Sequence, residues 1–402
     1  MQAIVIIGSG HAGISLAREI RALDATVPVV IVTRETGELY YKPNLSKALS
    51  MGKTADALVM KTASQIRQEL NLQILTHTEV LRVDTESRSL SLLREGAAEN
   101  LSYASLVFAA GAKPLDLGLS DAVMSINNLE DYRQFRKVLV PEQRILILGA
   151  GFVGCELASD LAGAGHQIDV VDLNQWPIQR VIPRAMGMAL MASFPQDQVR
   201  WHLATGMTKL VSANSRPPQS ENVDHVGSAN YVATLSDGTA LDVDLVVSAV
   251  GLAPNITLAQ QAGIRVNRGI RVDRYLQTSV DGVYALGDCA EYESGVMPFI
   301  LPASQAAKAL ARTLSGNRQA MNMPMQAVAV KVAYCPLVIC PPNTLNGVTS
   351  LSAWQVEGMG QDLSAVCYDS DGAPIGFALS GKAITQKNLH LKRIQSPTEA
   401  IA

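Results

Sequence analysis

The sequence has little of what thiol, metal or membrane chemistry requires. Its five cysteines, Cys155, Cys289, Cys335, Cys340 and Cys367, are odd in number and widely spread. They form no C-x-x-C pair and no zinc-ribbon spacing, so reduced thiols in a reducing compartment are expected rather than a disulfide framework. The six histidines are equally dispersed, with neither H-E-x-x-H nor H-x3-H, and no metal site is expected. No apolar run approaches the roughly 18 residues of a spanning helix, so no membrane association is expected. Lys and Arg are scattered and the net charge is only -3, which gives nucleic acid no electrostatic hold. The first apolar stretch, Ala3 to Ile7, runs straight into a glycine loop and leaves no place for a cleaved secretory signal. A cytoplasmic protein is expected.

What the chain does have is a sentence written twice. Ala3–Ile7 reads as a buried strand, Gly8-Ser-Gly10-His11-Ala12-Gly13 as a tight loop, Ile14–Leu23 as a helix and Val27–Val32 as a second strand. About 140 residues later, Ile145–Leu148, Gly149-Ala-Gly151-Phe-Val-Gly154, Cys155–Ala164 and Gln167–Val171 repeat the pattern. Both loops are G-x-G-x-x-G. The first glycine permits the turn, the second lets a diphosphate approach the backbone, and the third lets helix and strand pack closely. The diphosphate then faces the helix N-terminus, whose unpaired N–H groups favour an anion. One such loop is a weak signal; two, each between a strand and a helix, indicate two bound dinucleotides. Length agrees, since 402 residues exceed what one core usually supports and imply two or three domains.

Further apolar strands end abruptly at glycine: Leu106–Gly111, Leu245–Gly251 and Gly282–Asp288. In doubly wound sheets that carboxyl edge is where ligands sit. Asp172 ends the second strand of the second unit, about 18 residues past Gly154. An acid there hydrogen-bonds an adenosine ribose, and the following Leu-Asn-Gln-Trp offers no cation for a 2′-phosphate, so NADH is expected over NADPH. A solvated aspartate capping a turn is the plainer alternative. In the first unit the strand ends Val32-Thr33-Arg34-Glu35, which makes Glu35 the ribose candidate one residue late; a surface ion pair would explain Arg34 or Glu35 equally well.

Two lysines and one acid complete the candidates. Lys42 lies in the turn Tyr40-Tyr-Lys-Pro-Asn-Leu-Ser46. Lys331 interrupts the strand-like Ala327–Val332, on a face shared with two alanines. A lysine beside a flavin would stabilise the negative charge of its reduced ring; a lysine snorkelling from an edge strand is the alternative. Glu156 is expected in the first turn of the second helix, where a helix-dipole role would suffice. Residues 213–229 are polar and turn-rich and read as a mobile surface loop. The tail alternates in strand-like stretches, including Ala365–Tyr368 and Ile375–Leu379.

The paired loops, Leu245–Gly251 and Tyr284-Ala-Leu-Gly287-Asp288 resemble the two-dinucleotide flavoprotein reductases of glutathione-reductase type over residues 1 to about 320. Within them, Tyr41–Ser46, Ile126–Tyr132, Gly154-Cys-Glu156, Val266–Ile270, Ala285–Ala290 and Lys331–Leu337 resemble the bacterial rubredoxin reductases, kin to the ferredoxin reductases of oxygenase systems. The resemblance implies an α/β fold with two Rossmann-like dinucleotide-binding domains and a small C-terminal α+β domain. FAD is expected in residues 1–113 with 245–321, NADH in 114–244, and the third domain in 322–402. FAD contacts are expected at Gly8, Gly10, His11, Ala12, Gly13, Glu35, Lys42, Val80, Gly111 and Asp288, and the resemblance places the last on the ribityl chain. Further dinucleotide contacts are expected at Gly149, Gly151, Gly154, Glu156, Asp172 and Gly251, with Lys42, Lys331 and Glu156 around the reacting rings. Cys289 and Cys335 are expected as core thiols. The redox-cysteine patterns of the disulfide reductases and of the peroxidase and oxidase relatives are missing. The implied reaction therefore passes electrons from NADH through FAD directly to rubredoxin, a small acidic iron protein that would feed an alkane hydroxylase. An NADH–ferredoxin reductase and a noncatalytic FAD/NADH redox sensor remain as alternatives.

Overall fold

The structure, a computed structural model, describes residues 3–213, 229–322, 325–342 and 354–395. The loop expected at 213–229 falls, except for its two end residues, outside them. The chain forms two compact units: Met1–Lys42, Asp56–Lys113 and Leu252–Met323 make the first, and Pro43–Ala55, Pro114–Gly251 and Pro324–Ala402 the second.

The first unit is built on a seven-stranded sheet. Ala3–Ile7 lies at its centre, parallel to Val29–Val32 on one side and to the second half of Ala97–Phe108 on the other. Four of its five apolar residues are buried, as expected of a strand covered on both faces. Val283–Ala285 pairs parallel with the same end of Ala97–Phe108, while that long strand's first half pairs antiparallel with Ser89–Arg94. The helix begins at His11, three residues before the expected start, and runs to Leu23. Its buried face, Gly13, Ile14, Leu16, Ala17 and Ile20, has helical spacing and packs with the helix Ile300–Leu314.

The second unit repeats the plan with a five-stranded parallel sheet. Its order is Val123–Ser125, Leu245–Ser248, Arg144–Leu148, Gln167–Asp172, Val199–Leu203. Leu245–Ser248 therefore sits beside Arg144–Leu148, and the chain leaves this unit after Gly251 rather than before Leu245. The physical reason is its register: Ile145–Leu148 needs an apolar parallel neighbour, and Leu245, Val246 and Val247 supply it from fully or nearly fully buried positions. A second departure is Pro43–Ala55, which interrupts the first unit in sequence yet packs with the second.

The tail forms a five-stranded antiparallel sheet, ordered Val328–Val330, Leu337–Cys340, Pro374–Ser380, Asp362–Tyr368, Trp354–Met359. The helix Lys387–Gln395 closes a small core of Val338, Cys340, Phe377, Leu379, Ala383 and Ile394. Among the described residues no helix is long and apolar enough to cross a membrane.

Candidate functional site: two duplicated glycine loops

The two loops are anchored by the same pair of backbone hydrogen bonds. In the first, the Gly8 N–H donates to the Val32 carbonyl at 2.8 Å and the Ala109 N–H to the Ile7 carbonyl at 2.8 Å. In the second, Gly149 donates to Val171 at 2.7 Å and Ala249 to Leu148 at 2.7 Å. Each glycine then has its own reason. Gly8 and Gly149 have φ of +113° and +100°, and a Cβ on either would meet a backbone oxygen, of Ala109 at 2.2 Å and of Ala249 at 2.7 Å. On Gly13 and Gly154 a Cβ would lie 2.1 Å and 1.9 Å from the carbonyl oxygens of Gly8 and Gly149. Polypeptide packing alone explains these four.

Gly10 and Gly151 are different. Their φ values, -67° and -76°, suit any residue, and a Cβ on either would meet nothing within 4 Å. Nothing among the described residues requires glycine there. Each also caps a helix without a side-chain hydrogen bond and with no acid in the first turn, so the N–H groups remain for another acceptor. The helices Ala63–Leu70 and Leu129–Val138, by contrast, carry capping boxes from Thr62 with Gln65 and from Asn128 with Asp131. Open space over a second glycine and an uncapped helix start are what a dinucleotide diphosphate needs.

In the first unit the candidates converge on that edge. Gly287, at φ +74°, lies so near that a Cβ there would come within 2.8 Å of the Ala12 Cβ, which brings the Asp288 turn against the start of the helix. Burial pushes the Asp288 carboxyl up, and the charges of Lys42 and His11 partly offset it. His11 Nε2 lies 2.9 Å from Ser304 Oγ. That hydroxyl donates its proton to the Ile300 carbonyl at 3.0 Å, so Nε2 is inferred to carry the imidazole proton. Burial, then Arg18, lowers the His11 pKa, against the pull of Asp288. Gly111 has φ +65°, and Ala110–Gly111 is held by Asn255, which donates Nδ2–H to Ala110 O at 2.7 Å and its backbone N–H to Gly111 O at 3.0 Å. The sequence reading missed Asn255; its only signal was its place just after the strand end at Gly251. Val80 is half-buried at an irregularity in the strand Thr78–Asp84. The position that matches Asp172 is occupied by Thr33, buried and accepting a hydrogen bond from Ser9 Oγ at 2.9 Å. Glu35 is exposed two residues further on, and Arg34 makes an exposed ion pair with Glu79 at 3.7 Å.

In the second unit Asp172 Oδ2 accepts the Ala150 N–H at 2.6 Å, and Oδ1 accepts two hydrogen bonds from Asn174 at 2.7 Å. The acid thus ties the strand end to the glycine loop. Gly251, at φ +121°, accepts from the Leu115 N–H at 3.1 Å. Glu156 departs from expectation: no acid lies in the first turn of its helix, Phe152–Gly163, and its side chain is buried. Its carboxylate accepts the Ser46 hydroxyl and, at 2.8 Å, the Lys331 N–H. Because the helix is buried from Gly154 to Ala162, there is no solvent side for the acid to face. The last tail strand before Lys331 ends at Val330, so this lysine follows the strand. Its Nζ donates to the Pro43 carbonyl at 2.7 Å, and burial lowers its pKa against the opposing charge of Glu156. Ser46, Ser159 and Asp160 were not singled out from sequence, since their partners lie more than a hundred residues away. All five cysteines are free and buried; burial pushes the Cys289 thiol up to about 12 and that of Cys340 to about 11. Neither offers a thiolate at neutral pH.

Residues 2–311 match the pyridine nucleotide-disulphide oxidoreductase family, and residues 320–394 match the rubredoxin binding C-terminal domain. The chain is 36% identical to the rubredoxin-NAD(+) reductase of Alcanivorax borkumensis over 391 residues, covering 96% of this chain and 97% of that protein. It is also 36% identical to the Acinetobacter baylyi enzyme of the same name over 400 residues, 98% of each. A putidaredoxin reductase solved in covalent complex with putidaredoxin shares the fold, with a TM-score of 0.84 at 22% identity over 98% of this chain and 93% of that one. The chain belongs to the pyridine nucleotide-disulphide oxidoreductases and, within them, to the rubredoxin-NAD(+) reductases.

Proposed function

We propose that the protein carries electrons from NADH through FAD to rubredoxin. The observation that carries this reading is a rubredoxin-binding C-terminal domain, residues 320–394, directly following a two-loop reductase core. FAD, when bound, supplies the exchange between a two-electron donor and a one-electron iron acceptor. The rest is positioning and charge supplied by the chain.

The first loop, with Gly10 open and His11 and Ala12 against the Asp288 turn, is assigned to FAD. Asp288 is assigned to its ribityl hydroxyls, Glu35 to its adenosine ribose, and Val80 and Gly111 to backbone contacts. The second loop is assigned to NADH. A carboxylate has about four acceptor sites, and Asp172 uses three on Ala150 and Asn174, which leaves one for a ribose hydroxyl. Lys42 and Lys331 are assigned to stabilising negative charge on the reduced cofactor, with Glu156 holding the Lys331 backbone. Buried thiols support direct transfer without a disulfide relay, and they fit the reducing conditions of the cytoplasm. The resemblance that suggests rubredoxin also suggests an alkane hydroxylase as its consumer.

Initial rates with NADH and two purified acceptors test the reading. Rubredoxin is expected to exceed a [2Fe–2S] ferredoxin in kcat/KM by at least about tenfold, a difference of about 1.4 kcal/mol. Parity, or preference for the ferredoxin, would move the chain to the oxygenase-type reductases. Failure of both would leave only a sensor.

A further inference from the structure

The helix Phe152–Gly163 starts at the second glycine loop and carries polar residues where an interior helix should carry none. Glu156, Ser159 and Asp160, at i, i+3 and i+4 on one face, are 8%, 4% and 6% exposed. Buried polar groups require partners, and these find theirs in two remote segments. Glu156 takes the Ser46 hydroxyl and the Lys331 N–H, and Ser159 Oγ accepts the Ala333 N–H at 2.9 Å. Asp160 accepts the N–H groups of Leu49 at 3.0 Å and Ser50 at 2.8 Å, one on each oxygen. The two segments also meet directly, through Lys331 Nζ and the Pro43 carbonyl.

The result is a closed ring. It runs from Glu156 to the Lys331 backbone, along the lysine side chain to Pro43, through the turn to Ser46, and back to Glu156. The segment Pro43–Ser50 is pinned at two places: Ser46 near its start, and Leu49 with Ser50 at its end. Together the two pins hold the turn that carries the Pro43 carbonyl. Lys47 lies between the pins, attracted by Asp160 and repelling Lys331.

We propose that Asp160 is a positioning residue for the Lys331 ammonium. It does not touch Lys331. By fixing Leu49 and Ser50 it sets the carbonyl to which Lys331 Nζ donates. Its consequence for turnover rests on the assignment of Lys331 to the reduced cofactor, whereas the geometry does not.

Two readouts keep those ideas apart. Acetylation of the FAD-loaded protein with acetic anhydride, followed by mass spectrometry, compares Lys331 with the exposed Lys382. Asp160→Asn keeps the volume but presents one acceptor oxygen to two N–H groups. It is expected to raise Lys331 labelling relative to Lys382 by roughly tenfold, the scale of one lost hydrogen bond to a charged group. Ser46→Ala, which frees the other pin, is expected to act in the same direction and decides the matter if Asp160→Asn does not accumulate. A labelling ratio unchanged from wild type overturns the proposal. The second readout is the flavin midpoint potential. Asp160→Asn is expected to shift it in the direction of Lys331→Gln, and to add nothing once Lys331 is already Gln. Additive shifts would assign Asp160 a route that bypasses Lys331, and so overturn the proposal. If Lys331→Gln leaves the potential unchanged while Asp160→Asn accelerates labelling, the positioning stands and the assignment of Lys331 falls.

Discussion

At the scale of single residues, the six loop glycines separate into two kinds, and alanine substitutions should separate them as well. Gly10 and Gly151 have open space and an ordinary φ. Alanine there removes backbone freedom from the unfolded chain, a gain of about 0.4–1 kcal/mol where the native φ is compatible. The same methyl intrudes where a diphosphate approaches, an overpacking cost of about 1–3 kcal/mol. Gly151→Ala should therefore melt at or slightly above wild type while its Kd for NADH, measured by calorimetry, rises roughly 5- to 150-fold. Gly10→Ala should behave alike toward FAD. Gly13→Ala and Gly154→Ala should fail to fold, because the new Cβ would sit on a backbone oxygen. An unchanged NADH affinity in Gly151→Ala would refute a diphosphate at that loop. The glycines were legible in sequence because their spacing is local and repeated. Glu156 was visible but misread, since the helix-dipole account assumes a solvent-facing first turn. Asp160 carried no signal at all: an acid in an apolar helix becomes meaningful only when residues 49 and 50 are brought to it.

At the scale of elements, continuous apolar runs announced the central strands, while their order depended on pairings the sequence does not state. Leu245–Ser248 reads as a terminator in sequence, yet in the sheet it is the neighbour of Arg144–Leu148. The opposite edge shows how an exposed strand is kept in place. Asp169 on Gln167–Asp172 is fully buried and accepts from Arg200 Nη2 and His202 Nε2, each at 2.7 Å, both from the edge strand Val199–Leu203. Burial pushes the Asp169 pKa up, but the hydrogen bonds and charges of His202 and Arg200 outweigh it and leave the carboxyl below its ordinary value. The sign follows from the folded value lying below the unfolded one, about 3.9. Asp169 contributes stability that is fully present above that unfolded value and is lost as pH falls through the lower folded one. Asp169→Asn should thus destabilise the protein by about 1–3 kcal/mol at pH 7. In denaturant titrations from pH 5 to pH 3, the gap from wild type should hold down to about pH 4 and narrow below it. A gap that widens on acidification would contradict the assignment.

At the scale of the whole chain, one nucleotide-binding plan is used twice, followed by a tail that matches a rubredoxin-binding domain. The two half-reactions then make different electrical demands. NADH works in contact with the protein, and bound groups are screened little by salt. A small acidic iron protein must first be steered from solution, and a net charge of -3 repels it. Attraction has to come from local charge, and in the tail Lys382, Lys387 and Lys392 are exposed and make no ion pair among the described residues. Steering of this kind acts over about a Debye length, roughly 10 Å at 0.1 M salt and 3 Å at 1 M, and it sets the on-rate of redox encounters. Raising salt across that range should cut kcat/KM for rubredoxin by roughly one to two orders of magnitude, while flavin reduction by NADH in single-turnover stopped flow stays within about twofold. Reversing the charge of Lys387 and Lys392 together should lower the low-salt rate and flatten its salt dependence. Equal salt slopes for the two half-reactions would mean that the acceptor docks without electrostatic guidance, and the tail's lysines would then need another explanation.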